Sequence, residues 1–366
     1  MPTSFSKWSG SECRCWASFR RSRVFGVFGM VSSLAVVAGP IIGGALISAD
    51  IGGLGWRLAF LVNIPLGLAA LIGSRLFVPE LGTDTRTRPD WIGTALFSIA
   101  AVLLVLPLIE GRALGWPWWC FAAIAVSGPV AVGFMVYERK RSAAGQSALM
   151  PPGLLANAPY LRRLGLVILF FSGIPGLFLV LAVFLQSGFG LTALQSGPVT
   201  TPFPVGVMLA SMTTERFGNH YLSLRIATGA ALLVIGMVWL RFAIRSTGVE
   251  LNPYAFTPPL LICGFGMGAA VMSLFQVTML SVEPQDAGAG SGALQAFQQI
   301  GAALGIAIAG SIFFGLLGKG GMSASADAAS RFVHAAATAT HYSIAVFATL
   351  AVLVGVSALS AGKDTK

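Results

Sequence analysis

Uncharged apolar runs constrain this chain more than any other feature. Several windows of about 20 residues carry no charge, Val24 to Ile47 among them. A helix needs about 20 apolar residues to cross the roughly 30 Å hydrocarbon layer of a bilayer. Composition agrees: of 366 residues, 55% are hydrophobic and only 10% charged, 45 are glycine, and the mean hydropathy is +0.81. A soluble globule could not bury that much apolar surface. The chain reads as an all-α polytopic membrane protein whose solvent is the bilayer.

Breaks of Gly, Pro and charge divide the apolar runs into about ten spans. They lie near residues 24 to 47, 58 to 78, 91 to 109, 117 to 137, 164 to 185, 196 to 212, 222 to 242, 256 to 280, 290 to 317 and 342 to 359. The basic residues ahead of the first span imitate a secretory signal, but Val24 to Ile47 is too long for its apolar core. Six tryptophans (Trp56, Trp91, Trp116, Trp118, Trp119 and Trp239) fall at or near span ends, where an amphipathic ring prefers the headgroup level.

Ten spans put both termini on one side of the membrane, and the alternating loops can then be compared. One set carries 17 of the 23 Lys and Arg residues and the other carries six: Arg57, Arg112, Arg241, Arg245, Lys319 and Arg331. Positive charge is retained inside, so the termini are expected in the cytoplasm. The longest inner loop, 138–163, holds Arg139-Lys140-Arg141 and Met150-Pro151-Pro152-Gly153 and suits a linker between helical bundles. The expected organisation is a cytoplasmic segment at 1–23, two spans within 24–80, two more within 91–137, the linker, and a six-helix bundle over 164–361.

Several function classes lack a carrier. The net charge of +10 is scattered in short clusters with no basic stripe, so no nucleic-acid partner is expected. Cys13, Cys15, Cys120 and Cys263 form no CxxC pair, and no metal or cofactor is implied. Nucleophile elbow, phosphate loop and HExxH are all absent, and His220, His334 and His341 are read as lying in or beside loops. An enzyme is not expected.

The most informative segment is Gly26 to Gly44. Ala35, Gly39 and Gly43 recur every four residues, and Pro40 interrupts the helical hydrogen-bond ladder. Small residues at that spacing let two helices approach backbone to backbone, and proline adds a bend. Such a face packs, and can pivot, against another helix; the same pattern also serves ordinary packing in membranes.

At this point the sequence resembles the major facilitator superfamily, in its fourteen-helix drug:proton antiporter branch. Gly26, Ala35, Gly39, Pro40, Gly43 and Gly44 match the antiporter motif of that family's fifth helix, with Ala35 replacing a glycine. Gly55-Trp56-Arg57 with Phe60, Asn63, Pro65 and Gly67 resembles the start of its sixth helix. Asp90-Trp91-Ile92-Gly93, leading to Glu110-Gly111 and Gly115-Trp116, resembles the two extra central helices. Ala287 to Gly292 with Gln299, Gly301, Gly305 and Ala307 resembles the penultimate helix, and Glu215-Arg216-Phe217-Gly218 a weak copy of the family's cytoplasmic turn, with Glu215, Arg216 and Gly218 as its matching positions. Fourteen helices are implied, yet the fifth-helix motif sits in the first span, so the first four helices are expected to be lacking.

The resemblance implies a two-bundle carrier in the inner membrane that exports drugs or other hydrophobic or cationic small molecules by proton antiport. None of the 13 acidic residues lies mid-span, so no proton carrier is evident. Amides within spans are the candidates for substrate contact, because a buried amide needs a partner in hydrocarbon. These are Asn63, Gln276, Gln298 and Gln299, with Phe275 and Phe297 beside them. Each amide can equally bond a neighbouring helix. A nontransporting remnant of such a carrier is the rival expectation, because a central cavity needs both bundles as walls.

Overall fold

The computed structural model describes residues 38–39, 42–77, 90–111, 114–144, 146, 149–214, 222–247, 252–283, 286–318 and 326–361. Within these residues the chain is helical throughout, without a strand. Among the described residues eight helical stretches are long and apolar enough to cross a membrane, and shorter helices at 42–49, 193–200 and 202–214 fall in the two other expected spans.

The first piece, α1, is the described helix at 42–49; most of the expected span near 24 to 47 lies outside the described residues. A tight turn follows, in which Gly52, Gly53 and Gly55 take positive φ and Asp50 Oδ1 accepts from the N–H of Gly55 at 2.7 Å. Helix α2 (Asn63–Phe77) completes the span Gly55–Phe77, no part of which is buried by other protein. Helices α3 (Trp91–Glu110) and α4 (Trp118–Ala143) form an antiparallel hairpin, with Trp91 and Trp118 exposed at the two helix starts.

The rest of the described chain packs as a set of six helical members. Its first member is α5 (Ala158–Gly173) continued by α6 (Pro175–Val183), broken where Pro175 lacks an N–H and ending in a π-turn at Phe184–Gly188. The second is α7 (Ala193–Thr200) followed by α8 (Pro202–Thr214), interrupted at Thr201 by the prolines beyond it. A capping box of Thr192 and Gln195 starts α7. Then come α9 (Leu222–Ser246), α10 (Thr257–Met279), α11 (Ala287–Leu317) and α12 (Ala326–Ala361).

Lipid offers no hydrophobic drive between helices, so close backbone packing carries the association. Helix α9 lies against α10 and α12, and α11 against α5, α6 and α12. At the α9–α10 crossing two glycines face each other: a Cβ on Gly229 would lie 2.7 Å from the carbonyl oxygen of Gly266, and one on Gly266 would lie 2.6 Å from that of Gly229. Phe170, Phe184, Phe256, Phe313 and Phe347 fill the interior between the helices.

Two sequence expectations change here. His334 and His341 are not in or beside a loop; both lie on α12 with exposed side chains, because the Ala-rich stretch before residue 342 continues the helix. The loop expected at 138–163 is mostly ordered helix: α4 runs through Ala143, a short helix spans Pro152–Ala156 and α5 begins at Ala158.

Candidate functional site

Helix α1 brings its small residues to the second member of the bundle. A Cβ on Gly44 would lie 2.9 Å from the carbonyl oxygen of Ala193 and 3.1 Å from Leu194 Cα, so the two backbones meet directly. Beside the contact is a cavity of about 370 Å³ between Gly43, Gly44 and Ile47 on one wall and Phe178, Gln186, Ala193, Ser196 and Thr200 on the other. Its polar groups come from the bundle: Gln186 sits in the π-turn and donates to Ser196 Oγ at 3.3 Å. A π-turn offsets the helical ladder by one residue and re-aims the side chains after it. Gly39 faces open space; Gly26, Ala35 and Pro40 lie outside the described residues.

The amides and aromatics picked from the sequence do not converge on one point. Asn63 is exposed at the start of α2, where its Nδ2 donates to Ala59 O in the turn before it at 3.4 Å. Gln276 stands on an exposed stripe of α10 with Met272 and Leu280. Phe275 turns inward and stacks on Phe171, ring centroids 6.0 Å apart. Phe275 and Phe297 both pack against a small apolar cluster formed by Phe134, Met150, Leu154, Tyr160, Leu164 and Leu294. Gln298 buries an Oε1 without a hydrogen-bond donor, while Gln299 is exposed one turn after Gln295.

Phe297 and Gln299 border two adjoining apolar cavities between the α3–α4 hairpin and α11. One is about 310 Å³ and includes Phe97, Phe134 and Met150; the other is about 410 Å³ and includes Val105, Ile109 and Gln299. Both share Phe97, Ala101 and Ile300, so they form one side groove under the hairpin.

The end of the hairpin that carries Asp90 is held together by polar contacts between α3 and α4. Asp90 Oδ1 caps α3 by accepting from the Gly93 N–H (2.9 Å), and it also accepts from the Tyr137 hydroxyl (3.1 Å). Arg141 reaches Asp90 Oδ2 at 3.4 Å and donates to the Tyr137 hydroxyl. Burial pushes the Asp90 carboxyl up, but these donors and the neighbouring Glu138 carboxyl outweigh it and hold it below the usual aspartate range. Further along, Asn157 donates to Ser281 O (2.7 Å) and Tyr160 to Gly290 O (2.8 Å), while Arg163 donates to Val277 O (2.6 Å) and to Ser281 Oγ.

Residues 13–306 match the Major Facilitator Superfamily. The chain belongs to that superfamily. Among its relatives, a probable actinorhodin transporter of Streptomyces coelicolor is 34% identical over 308 residues, covering 84% of this chain and 53% of the relative. The multidrug resistance protein Stp of Mycobacterium tuberculosis is 27% identical over 294 residues, covering 80% and 52%. The puromycin resistance protein pur8 of Streptomyces alboniger is 28% identical over 297 residues, covering 81% and 57%. The chain thus spans about half the length of these relatives.

Within the superfamily match, the turn residues Glu215, Arg216 and Gly218 lie outside the described residues. Sequence reasoning missed Gln186, Ser196 and Thr200. Gln186 stands immediately after the span drawn to residue 185, and only the π-turn, which no sequence pattern announces, brings it to the cavity.

Proposed function

We propose that this chain is part of a membrane carrier that exports drugs or other hydrophobic or cationic small molecules in exchange for protons, with alternating access between two helical bundles. The observation that carries the reading is the backbone contact of Gly44 with Ala193 and Leu194, a small-residue helix of the first half against the second bundle. Flat, side-chain-poor contacts can separate and re-form without unpacking a core, which a rocking carrier needs. The names of the relatives, which include an actinorhodin transporter and a puromycin resistance protein, support a small-molecule cargo. The excess of Lys and Arg in one set of loops supports an inner-membrane orientation with both termini in the cytoplasm.

The test uses inverted membrane vesicles from a pump-deficient bacterium making this chain, energised to an acidic interior. Adding a hydrophobic cationic dye is expected to dissipate the proton gradient in proportion to dye uptake, and a protonophore to abolish uptake. Vesicles in which the inserted chain neither takes up dye nor releases protons would reject transport by this chain and favour the nontransporting reading.

A further inference from the structure

Two acids at one end of the α3–α4 hairpin bring buried carboxyl oxygens to the same glycine, Gly93. Glu138 is fully buried and Asp90 is only 7% exposed. Glu138 Oε2 accepts from the backbone N–H of Met150 at 2.9 Å. Its other oxygen, Oε1, and Asp90 Oδ2 are both buried and accept a hydrogen bond from no described group. Both oxygens lie within 2.5 Å of one point, the position a Cβ on Gly93 would occupy. They are therefore no more than about 5 Å apart, facing each other across a glycine with no side chain to separate them.

Charge supports the same conclusion. Among the described residues the cation in this network is Arg141, which faces Asp90 Oδ2. Arg139 and Lys140, its neighbours on α4, are exposed, whereas Glu138 is buried. On α5, Arg163 is committed to Val277 O and Ser281, Tyr160 to Gly290 O, and Arg162 is exposed. Helix α10 contributes no titratable acid or base facing the pair, α11 contributes none after Asp286, and the described part of the segment 144–157 contributes none. Two ionised carboxylates against one guanidinium would leave a net buried negative charge, whereas one proton leaves a balanced pair.

We infer that Asp90 and Glu138 form a proton-binding carboxyl pair, in which Glu138 holds the proton and donates it to ionised Asp90, fastening the segment around Met150 to the hairpin. Loss of the proton to water leaves two facing anions, and their repulsion turns Glu138 away from α3 and releases Met150 N–H. The site is distinct from the α1–α7 contact and does not depend on the transport reading. It makes the seating of the segment between hairpin and bundle responsive to pH.

Infrared spectroscopy of the purified full chain tests the pair directly. At neutral pH wild type is expected to show a carboxylic-acid C=O band, shifted in heavy water, that Glu138→Gln lacks. Asp90→Asn, which still caps α3, removes the facing charge, so Glu138 ionises against Arg141 and the band is lost there too. Hydrogen exchange of residues 149–157 gives the mechanical readout. In wild type it accelerates at alkaline pH beyond the intrinsic rate. In Glu138→Gln, whose amide donates to Asp90 and accepts from Met150, it stays slow at every pH, and in Glu138→Ala it is faster at every pH by about tenfold or more. A spectrum in which wild type and Glu138→Gln coincide, or a band that survives Asp90→Asn, would overturn the pair. These readouts report protonation whether or not the chain moves dye.

Discussion

At the scale of single residues, this protein depends on what is missing as much as on what is present. Gly229 and Gly266 touch because neither has a side chain, and a branched residue there must drive two backbones apart. Gly229→Val is expected to destabilise the chain by about 1–3 kcal/mol, the usual cost of overpacking. Gly315→Val, which meets open space, is expected to change nothing measurable. The readout is the temperature at which the buried thiols of Cys120 and Cys263 become reactive in detergent, and equal midpoints for the two variants would refute the packing account. Asp90 makes a second residue-scale prediction. Its folded carboxyl titrates below the ordinary value of 3.8, so its contribution is complete above that value and is lost as pH falls through the lower, folded one. The same melt from pH 6 downward should fall more steeply near and below that value in wild type than in Asp90→Asn.

At the scale of elements, hydropathy was enough to find the helices but not their joints. The described long helices coincide with apolar runs that carry few charges, since lipid forces every such run into helix. The break at Pro175 and the interruption before Pro202 are visible as prolines, whereas the π-turn at Phe184–Gly188 is not, because nothing in its composition differs from α-helix. Helix α12 starts 16 residues before the expected span because Asp327, Arg331, His334 and His341 interrupt the apolar run while the alanines between them favour helix; Ala335, Ala336 and Ala339 are buried there. Of the candidate site, the stripe Ala35, Gly39 and Gly43 is the packing face expected from spacing, yet the backbone contact is made by Gly44 beside it, while Gly39 and Gly43 meet nothing within 4 Å. Likewise Asp90 and Glu138 count in the sequence only among the acids that lie outside mid-span, since a contact between residues so distant in sequence leaves no local pattern. One tie between elements can be cut cleanly. Tyr160 is fully buried on α5 and donates to Gly290 O on α11, so Tyr160→Phe should cost about 1 kcal/mol, lowering the thiol-release midpoint without preventing insertion. An unchanged midpoint would mean that the bond is not stabilising.

At the scale of the whole molecule, the described chain is uneven. The six-member bundle has a buried core, α3 and α4 rest on it through a small apolar cluster, and α2 buries nothing against protein. Among the described residues α1 reaches from the first half to the bundle's second member, across a cavity with apolar and polar walls. If that contact opens and closes during transport, holding it shut must stop the cycle without unfolding anything. In a cysteine-free background, Gly43→Cys and Gly197→Cys place thiols on the two walls of the same cavity. A short bifunctional methanethiosulfonate is expected to link them, seen as protection from later maleimide labelling. Dye-driven proton release should then fall to the level of vesicles lacking the chain, and reducing the link should restore it. A link that forms and leaves transport unchanged would make the α1–α7 contact a static joint and move the pivot of any rocking motion elsewhere. The same experiment separates the two levels of regulation, because the link acts at α1 while the state of the Asp90–Glu138 pair, read by its infrared band, should be unchanged by it.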